Sequence, residues 1–521
     1  MTPHNTIAYF YTMLRCWFIF IFQFLPLGVV VADKAVLHEP ILALDAAIAT
    51  ALEHNLGFII SSYGPVNAQD EIIAEEAQFD LELFSAVSLS ESQSAAANSS
   101  LDSASVPQSE ARRANAGINK RLQTGATVTL DSAISRRSSN NNAARNPDYA
   151  ADFGISIRQP LLKDAWTMVN LAPLARAKVS AERSLFMWRS DLLDLILDTE
   201  IAYWNLAFRQ ADRALILSSL ELAENLLEEN SERERLGLVT PLEVLQAEAE
   251  VLNQQEKIIQ ADRAIDDAED VLRRVMGEAD FLELKDETFS VASLPDSVEP
   301  LRTIDAVVKD TVINDVEAQA QERVIEVERI NEILAQDETR PDLDLTGGVT
   351  YLGRDTEGSE AYSGAYHADG YNWNVGLELR FPWSFREARA RTRQAERDVE
   401  RAELTLYDIK QSKAFAARNA WRSANTGLKR IEVSRKALDL NQEAFEQERA
   451  RYGSGLVAYR SVLEAQRDYD RARSNHLSAL IGTIQASVRL SRVDGTILAR
   501  NGLAWDSVQS DAKRASPFIS E

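Results

Sequence analysis

Two stretches of the chain, residues 160–276 and 382–490, repeat one sequence pattern. The most similar part is a turn, which reads RERLGLVTPLEVLQAEAE from Arg233 and RYGSGLVAYRSVLEAQRD from Arg451. The offset that aligns these turns also pairs Ala202-Tyr203 with Ala420-Trp421, without a gap. A repeated unit usually cannot bury its apolar face alone and packs on its copy. We therefore expect one fold built from two similar units.

The net charge of the chain limits which classes of molecule it is expected to bind. The 521-residue chain carries a formal charge of −24. Phosphate binding requires clustered Lys and Arg side chains, which displace counterions from the nucleic acid. Nucleic acid is therefore not an expected partner.

The N-terminus has the pattern of a secretory signal. An almost wholly apolar segment, residues 16–31, follows Arg15 and ends at Ala32, which predicts a signal peptide over residues 1–32. The segment of about 16 residues is shorter than the roughly 20 that span a bilayer, although a retained anchor is the alternative. Cleavage would remove Cys16, the only cysteine, so the mature chain would have no thiol for disulfides, metal ligation or lipid attachment.

Heptad spacing predicts two unusually long helices. Between Ala395 and Phe445, apolar or small residues recur at steps of three or four positions with few breaks, and residues 384–451 contain no proline. A helix of about 65 residues, roughly 100 Å long, is expected there and again at 174–235. Each ends at a Gly-Leu-Val turn, where glycine can adopt the left-handed conformation that stops a helix.

Pairs of shorter helices, stacked end to end, are expected to pack along the full length of each long helix. The return helices, about 241–275 and 457–490, are only half as long as their partners. Residues 41–78 and 301–336 also have helical patterns, and each would stack end to end with a return helix. This arrangement predicts a column of antiparallel helices.

Strand patterns occur where the long helices begin. Apolar residues alternate with polar or small ones in four segments: 79–92, 151–162, 343–353 and 371–383. Such strands of about ten residues suit a transmembrane barrel, and a half-buried soluble sheet would show the same alternation. Polar or Gly-containing stretches at 91–115, 137–149 and 353–371 are expected to be loops. Residues 118–137 are also strand-like, and form either an extra hairpin that turns near Thr124-Gly125 or an elongated strand.

The duplicated order of strand, proline, long helix, Gly-Leu-Val turn and short helix resembles the TolC family of outer-membrane efflux proteins. The resemblance includes RQPLLKDAWTMVNLAPL at 158–174 and VLQAEAE and VLEAQRD after the turns, and it covers about 41–495. It implies a mainly α fold with β: a homotrimer in which three chains form one twelve-stranded outer-membrane β-barrel, continued by a periplasmic α-helical barrel. Four strands cannot close a barrel, and open sheet edges are not tolerated in lipid, so several chains must share closure.

The resemblance also implies a domain order and partners. Repeats at 33–276 and 301–495 would alternate with mixed segments at 277–300 and 496–521. The expected function is the exit duct of a tripartite efflux or type I secretion system, located in the cell outer membrane with a periplasmic extension. Its partners would be a periplasmic adaptor (membrane fusion) protein, an inner-membrane RND or ABC transporter, and outer-membrane lipid.

Family resemblance places the periplasmic entrance at the two turns. The expected gate and selectivity residues are Arg233, Thr240, Glu243, Gln246, Arg451, Tyr452, Ser461 and Glu464. Three copies of Glu464 would form a ring of negative charge that favours cations, and the alternative is a solvated surface glutamate. The expected adaptor-docking residues are Gly237, Leu238, Val239, Gly455, Leu456 and Val457.

Aromatic residues cluster at the junction of strand and second long helix: Trp373, Phe381, Trp383 and Phe385. They indicate either an interfacial girdle or core packing.

No motif supports catalysis, a cofactor or a metal. The five histidines are scattered and lack metal-ligand spacing, and the sequence contains no Gly-rich phosphate loop or nucleophile elbow. The alternative class is a periplasmic coiled-coil structural protein or adaptor of the envelope. The duplication argues against an adaptor with a single hairpin, and the strands argue against a rod.

Overall fold

A computed structural model describes residues 41–93, 106–140, 145–278, 289–295 and 300–505. The predicted signal peptide, residues 1–32, lies outside these ranges. So do residues 279–288, 296–299 and 506–521, which belong to the two predicted mixed segments.

Helices form most of the described chain. We number those of eight residues or more α1 to α9: Leu44–His54, Leu56–Ala77, Ala172–Arg235, Pro241–Met276, Ile304–Asn314, Val316–Asp337, Gly358–Tyr366, Arg386–Gly453 and Tyr459–Val493. Two four-residue helices, Thr167–Asn170 and Ile497–Arg500, flank the larger ones.

The two predicted long helices are confirmed. Helix α3 has 64 residues and α8 has 68, so each is about 100 Å long. Buried residues of α8 show seven-residue spacing in two stretches, Ala388, Ala395 and Ala402, and then Ala417 and Ala424, with a shift of one residue between them. Burial of each large side chain, such as Leu192 in α3, stabilises the fold by about 2 kcal/mol.

The shorter helices stack end to end as expected, but each predicted N-terminal helix is broken in two. Asn55 ends α1 and caps α2 by accepting a hydrogen bond from the Phe58 N–H at 3.0 Å. Asp315 does the same between α5 and α6, with Ala318 N–H at 2.8 Å. The Asn55 amide also donates to the Val275 carbonyl at 2.8 Å, which joins α1 to the end of α4.

Four helices lie side by side at each level of the column. In the half next to the sheet, α2 packs on α3, α3 on α6, and α6 on α8. In the half near the turns, α4 packs on α3, α3 on α9, and α9 on α8. Helices α3 and α8 therefore run the full length, while the shorter helices occupy one half each.

Within the described residues, six strands form one antiparallel sheet in sequence order. They are β1 to β6: Leu81–Gln93, Gln108–Arg121, Thr127–Ser139, Asp148–Pro160, Asp342–Asp355 and Gly370–Arg380. A separate two-residue parallel pairing joins residues 41–42 to 290–291.

The expectation of four strands per chain is wrong. Residues 118–137 belong to a hairpin, β2–β3, whose turn contains Gly125 with φ +84°, as one of the two sequence interpretations predicted. The predicted loop at 91–115 is partly strand, because β2 begins at Gln108 and pairs along its length with both β1 and β3. The predicted loop at 353–371 contains α7, which packs on β4 and β5.

Candidate functional site

The two turns that end the long helices have the same backbone geometry. Gly237 and Gly455 have φ of +72° and +71°. The Gly237 N–H donates to the Glu234 carbonyl at 2.8 Å, and the Gly455 N–H donates to the Tyr452 carbonyl at 2.9 Å. These bonds satisfy carbonyls at the helix end, and only glycine adopts this conformation without strain. The repeated sequence therefore produces two equivalent turns at one end of the column.

Some predicted docking residues form the outer surface of these turns. Leu238 and Leu456 are 71% and 72% exposed. An added Cβ at Gly237 or Gly455 would meet no atom within 4 Å. Val239 is half-buried. Val457 packs against the core cluster that contains Tyr452 and Tyr459. The exposed surface thus comprises the glycines and leucines, and Val457 supports the second turn from inside.

Tyr452 joins the ends of α3 and α8. Its hydroxyl donates to Asn230 Oδ1 at 2.5 Å, and both residues are buried. Arg233 donates from Nη1 to the Tyr452 carbonyl at 3.2 Å, and its guanidinium lies 4.6 Å from the centre of the Tyr452 ring. Glu229 holds Arg233 from the same helix at 2.7 Å. These contacts form one network that joins α3 to α8 within one chain, and its role in closing the entrance stays a prediction.

Sequence reasoning placed Arg233 and Tyr452 at the turns but missed Asn230 and Glu229. Both lie three or four residues before Arg233 on α3, so helical spacing places them on the same face. That spacing was the available signal. The pairing with α8 depends on the tertiary fold.

The two aligned arginines, Arg233 and Arg451, have different partners. Arg233 is held between the helices, whereas Arg451 pairs with Glu448 on its own helix at 2.6 Å.

Burial raises the pKa of the Tyr452 hydroxyl, and the negative charge of Glu243 raises it further. The hydroxyl therefore stays protonated and remains a donor across the neutral range.

The predicted selectivity residues lie in the first turns of α4 and α9. Glu464 is exposed and forms an i,i+4 ion pair with Arg460 at 3.0 Å. Ser461 is half-buried, and its N–H donates to the Ala458 carbonyl at 3.0 Å. Glu243 and Gln246 are half-buried on the other helix. A charged ring built from Glu464 stays a prediction, since it requires neighbouring copies.

A buried polar layer above the turns was not anticipated. Ser219 of α3 donates to Asp470 of α9 at 2.7 Å. Arg467 pairs with Glu250 of α4 at 2.8 Å, and Gln254 donates to the same carboxylate at 2.9 Å. The Ser219–Asp470 and Arg467–Glu250 bonds join residues more than 200 positions apart in sequence, so no local pattern reveals them.

The aromatic cluster at the junction of β6 and α8 is largely exposed. Trp383 is 94% exposed, and Trp373 and Phe381 are also exposed. Phe381 stacks on Phe385 with ring centres 6.3 Å apart. The prediction of core packing is therefore wrong for Trp383 within one copy. The exposure of these aromatic side chains is compatible with an interfacial girdle.

No helix in the described residues is both long and apolar enough to cross a membrane. No group of three His, Cys, Asp or Glu side chains there could hold a metal ion.

A family model and several solved structures are similar to this chain. The model of the family described as outer membrane efflux protein matches residues 315–496, which confirms the resemblance and the expected outer-membrane location. That family consists of efflux channels, not enzymes. No curated protein sequence matches the chain.

Solved structures with a similar fold are outer-membrane channels. The outer-membrane channel OprN has a TM-score of 0.62 at 16% identity, over 87% of this chain and 89% of that one. The Campylobacter jejuni channel CmeC has a TM-score of 0.62 at 14% identity, over 92% and 90%. The outer membrane protein VceC of Vibrio cholerae has 0.62 at 16% identity, over 87% and 96%.

Proposed function

We propose that this chain, which matches the outer membrane efflux protein family over residues 315–496 and has the fold of outer-membrane channels, is the exit duct of a tripartite efflux or type I secretion system. In this proposal a homotrimer forms a β-barrel in the outer membrane and a helical barrel in the periplasm. The turns at the far end of the helices receive a periplasmic adaptor protein. An RND or ABC transporter of the inner membrane supplies the substrate, which passes through passively.

The observation that carries the proposal is the two-faced sheet. One row of directly paired residues crosses all the strands and is apolar throughout: Leu83, Ile118, Leu130, Ile155, Val349 and Trp373. The adjacent row on the other face is polar or small: Glu82, Asn119, Thr129, Ser156, Gly348 and Asn374. This alternation suits a barrel with lipid outside and water inside.

Exposure of the apolar row supports lipid as its environment. Leu83 is 77% exposed, Ile155 50% and Trp373 65%. A contiguous apolar surface of this extent is unfavourable in water by about 25 cal/mol per Å². Since β1 and β6 each have one unpaired edge in the described chain, other copies must complete the sheet before it can enter lipid.

Both sides of the helical layer also carry apolar stripes. On α4, the side chains of Leu245, Leu252 and Ile259 are exposed and seven residues apart. On α8, Val433 and Leu440 repeat the same spacing. Seven-residue spacing is typical of a helix-packing seam. These helices lie at opposite sides of the layer, so a ring of copies would bring the two stripes together.

The turns supply the proposed entrance. In the assembled duct, the Asn230–Tyr452–Arg233 network holds α3 and α8 together at the narrow end and opposes opening. Glu464, with Ser461 beside it, faces the entrance once per copy and favours cations. Arg460 partly neutralises each Glu464 carboxylate, because the two form an ion pair.

The test is planar-bilayer recording of the detergent-purified mature protein, with its mass measured first. We expect a trimeric mass and discrete channels. The reversal potential in a KCl gradient should show cation preference that falls in Glu464→Gln and rises in Arg460→Gln. A matched control is Glu432→Gln, which removes another exposed i,i+4 ion pair on α8, about 30 Å from the turn.

Two results would count against the proposal. A water-soluble species without conductance would exclude the duct and leave the envelope rod. If channels form but their ion preference is unchanged in both Glu464→Gln and Arg460→Gln, the duct is supported and the acidic entrance is excluded.

A further inference from the structure

The sheet has more strands than the two-repeat pattern requires. The second repeat contributes one hairpin, β5–β6, whereas the first contributes β1, β2, β3 and β4. The additional hairpin, β2–β3, lies inside the sheet between β1 and β4 and pairs with both. It is therefore part of the continuous sheet and not a flap on its surface.

The turn of this hairpin packs closely against the segment that leads into helix α3. A Cβ on Gly125 would lie 2.4 Å from the Asp164 carbonyl oxygen and 2.8 Å from Asn170 Nδ2. Arg121 donates to Asn170 Oδ1 at 3.0 Å, and Gln159 donates to the Thr124 carbonyl at 3.0 Å. Because the contacts involve both backbone and side chains, the hairpin is fixed at the level where the column begins.

The width of the helical layer matches six strands better than four. Four helices spaced about 9–10 Å apart span an arc of roughly 36–40 Å per copy. Six strands spaced about 4.8 Å apart and tilted about 40° span roughly 37 Å, whereas four would span only about 25 Å. The extra hairpin therefore lets the sheet cover the same arc as the helices beneath it.

The two free edges are compatible with each other. Strand β1 leads away from the helices and β6 leads back to them, so an edge-to-edge pair would be antiparallel like every other pair in the sheet. The apolar row begins at Leu83 on β1 and ends at Trp373 on β6, and the polar row begins at Glu82 and ends at Asn374. Pairing of β1 with β6 of the next copy would continue both rows.

We infer that three copies, each contributing six strands, close a barrel of eighteen strands instead of the twelve that the family resemblance implies. The inference rests on the proposed homotrimeric duct. Barrel diameter grows roughly linearly with strand number, so this barrel is about 1.5 times as wide as a twelve-stranded one. At this size the barrel holds an aqueous channel, and the helical turns are the narrow part of the duct.

Engineered disulfides test the strand order in the membrane. The background carries Cys16→Ser, and every variant carries Ser85→Cys on the apolar face of β1. Each variant adds one second cysteine. It is placed on β2 (Ala116→Cys, at the residue that directly opposes Ser85) or on β4 (Phe153→Cys). In three further variants it is placed on β6, as Tyr371→Cys, Trp373→Cys or Val375→Cys. Three strand spacings, about 14 Å, separate Ser85 from Phe153, beyond the roughly 7 Å that a disulfide can span.

The readouts are non-reducing gels, loss of thiol labelling, and mass in detergent. We expect the Ala116→Cys variant to lose labelling without a change of band. One of the β6 variants should shift the main band from one chain to three chains, in a particle of trimeric mass. The Phe153→Cys variant and the Ser85→Cys single variant should form no disulfide.

Other outcomes separate failure of this inference from failure of the duct. A disulfide at Phe153→Cys in a trimer would show that β1 pairs with β4 and that the hairpin lies outside a twelve-stranded barrel, which overturns the inference and keeps the duct. A dimeric mass with β1–β6 disulfides would give twelve strands from two copies and overturn it as well. Monomers without cross-links or conductance would overturn the proposed function itself.

Discussion

Buried polar residues give the long helices specific partners. Glu200 of α3 is fully buried, and its Oε1 accepts a hydrogen bond from Asn501 at 2.6 Å. Burial raises the pKa of the Glu200 carboxyl above its ordinary 4.5, against the smaller opposing effect of the Asn501 bond. The folded chain therefore binds this proton more tightly than the unfolded chain does.

The Glu200→Gln variant should be more stable than the wild type near pH 7.5, with a difference that shrinks toward pH 4.5. A raised folded-state pKa means that stability decreases as pH rises from the unfolded value through the folded one. Glutamine keeps an acceptor for Asn501 without a buried charge. Thermal unfolding of the detergent-solubilised protein at both pH values measures this. Glu443→Gln, at an exposed position, is the control, and equal destabilisation at both pH values would contradict the argument.

At the scale of elements, the best-predicted features were the long helices and their turns. The heptad seam and the glycine stop placed α3 and α8 within two residues at each end. The breaks at Asn55 and Asp315 were missed, although both residue types favour an N-cap. Helix α7 was also missed, because its sequence, GSEAYSGAY, is short and rich in small residues. It is held by packing on the sheet, where a Cβ on Gly353 would lie 1.9 Å from the Ala361 carbonyl oxygen.

The bond between the ends of α3 and α8 gives an element-scale prediction. Tyr452→Phe removes the hydroxyl that donates to Asn230 but keeps the ring beneath Arg233. Loss of this buried bond should cost about 1 kcal/mol and should increase the open probability in planar bilayers. Tyr407→Phe, at an exposed position on the same helix, should change neither. A lower melting temperature with unchanged channel opening would show that the network supports the turn but does not gate it.

For the whole molecule, the exposed stripe on α4 predicts a contact between copies. Ile259→Glu places a charge in the seam of Leu245, Leu252 and Ile259, and a charge buried at an interface without a partner is strongly unfavourable. We expect the trimer to dissociate at detergent and protein concentrations at which the wild type stays assembled. Light scattering in detergent measures the mass.

The matched variant Ile259→Met keeps the seam apolar and should remain trimeric. If Ile259→Glu also keeps its trimeric mass and its melting temperature, the α4 stripe does not lie between copies. The partner surface would then have to be sought on another helix.

The sequence by itself determined the duplicated helical column, the turns and the resemblance to outer-membrane efflux proteins. Those features depend on periodicity and on single glycines within one segment, so they are local. The tertiary structure alone decided the number of strands. The apolar-row side of β2 carries Glu110, Arg112 and Lys120 besides small residues and Ile118, which is a weak strand pattern. Its conformation is set by hydrogen bonding to β1 and β3 on both sides, and such pairing depends on residues far along the chain.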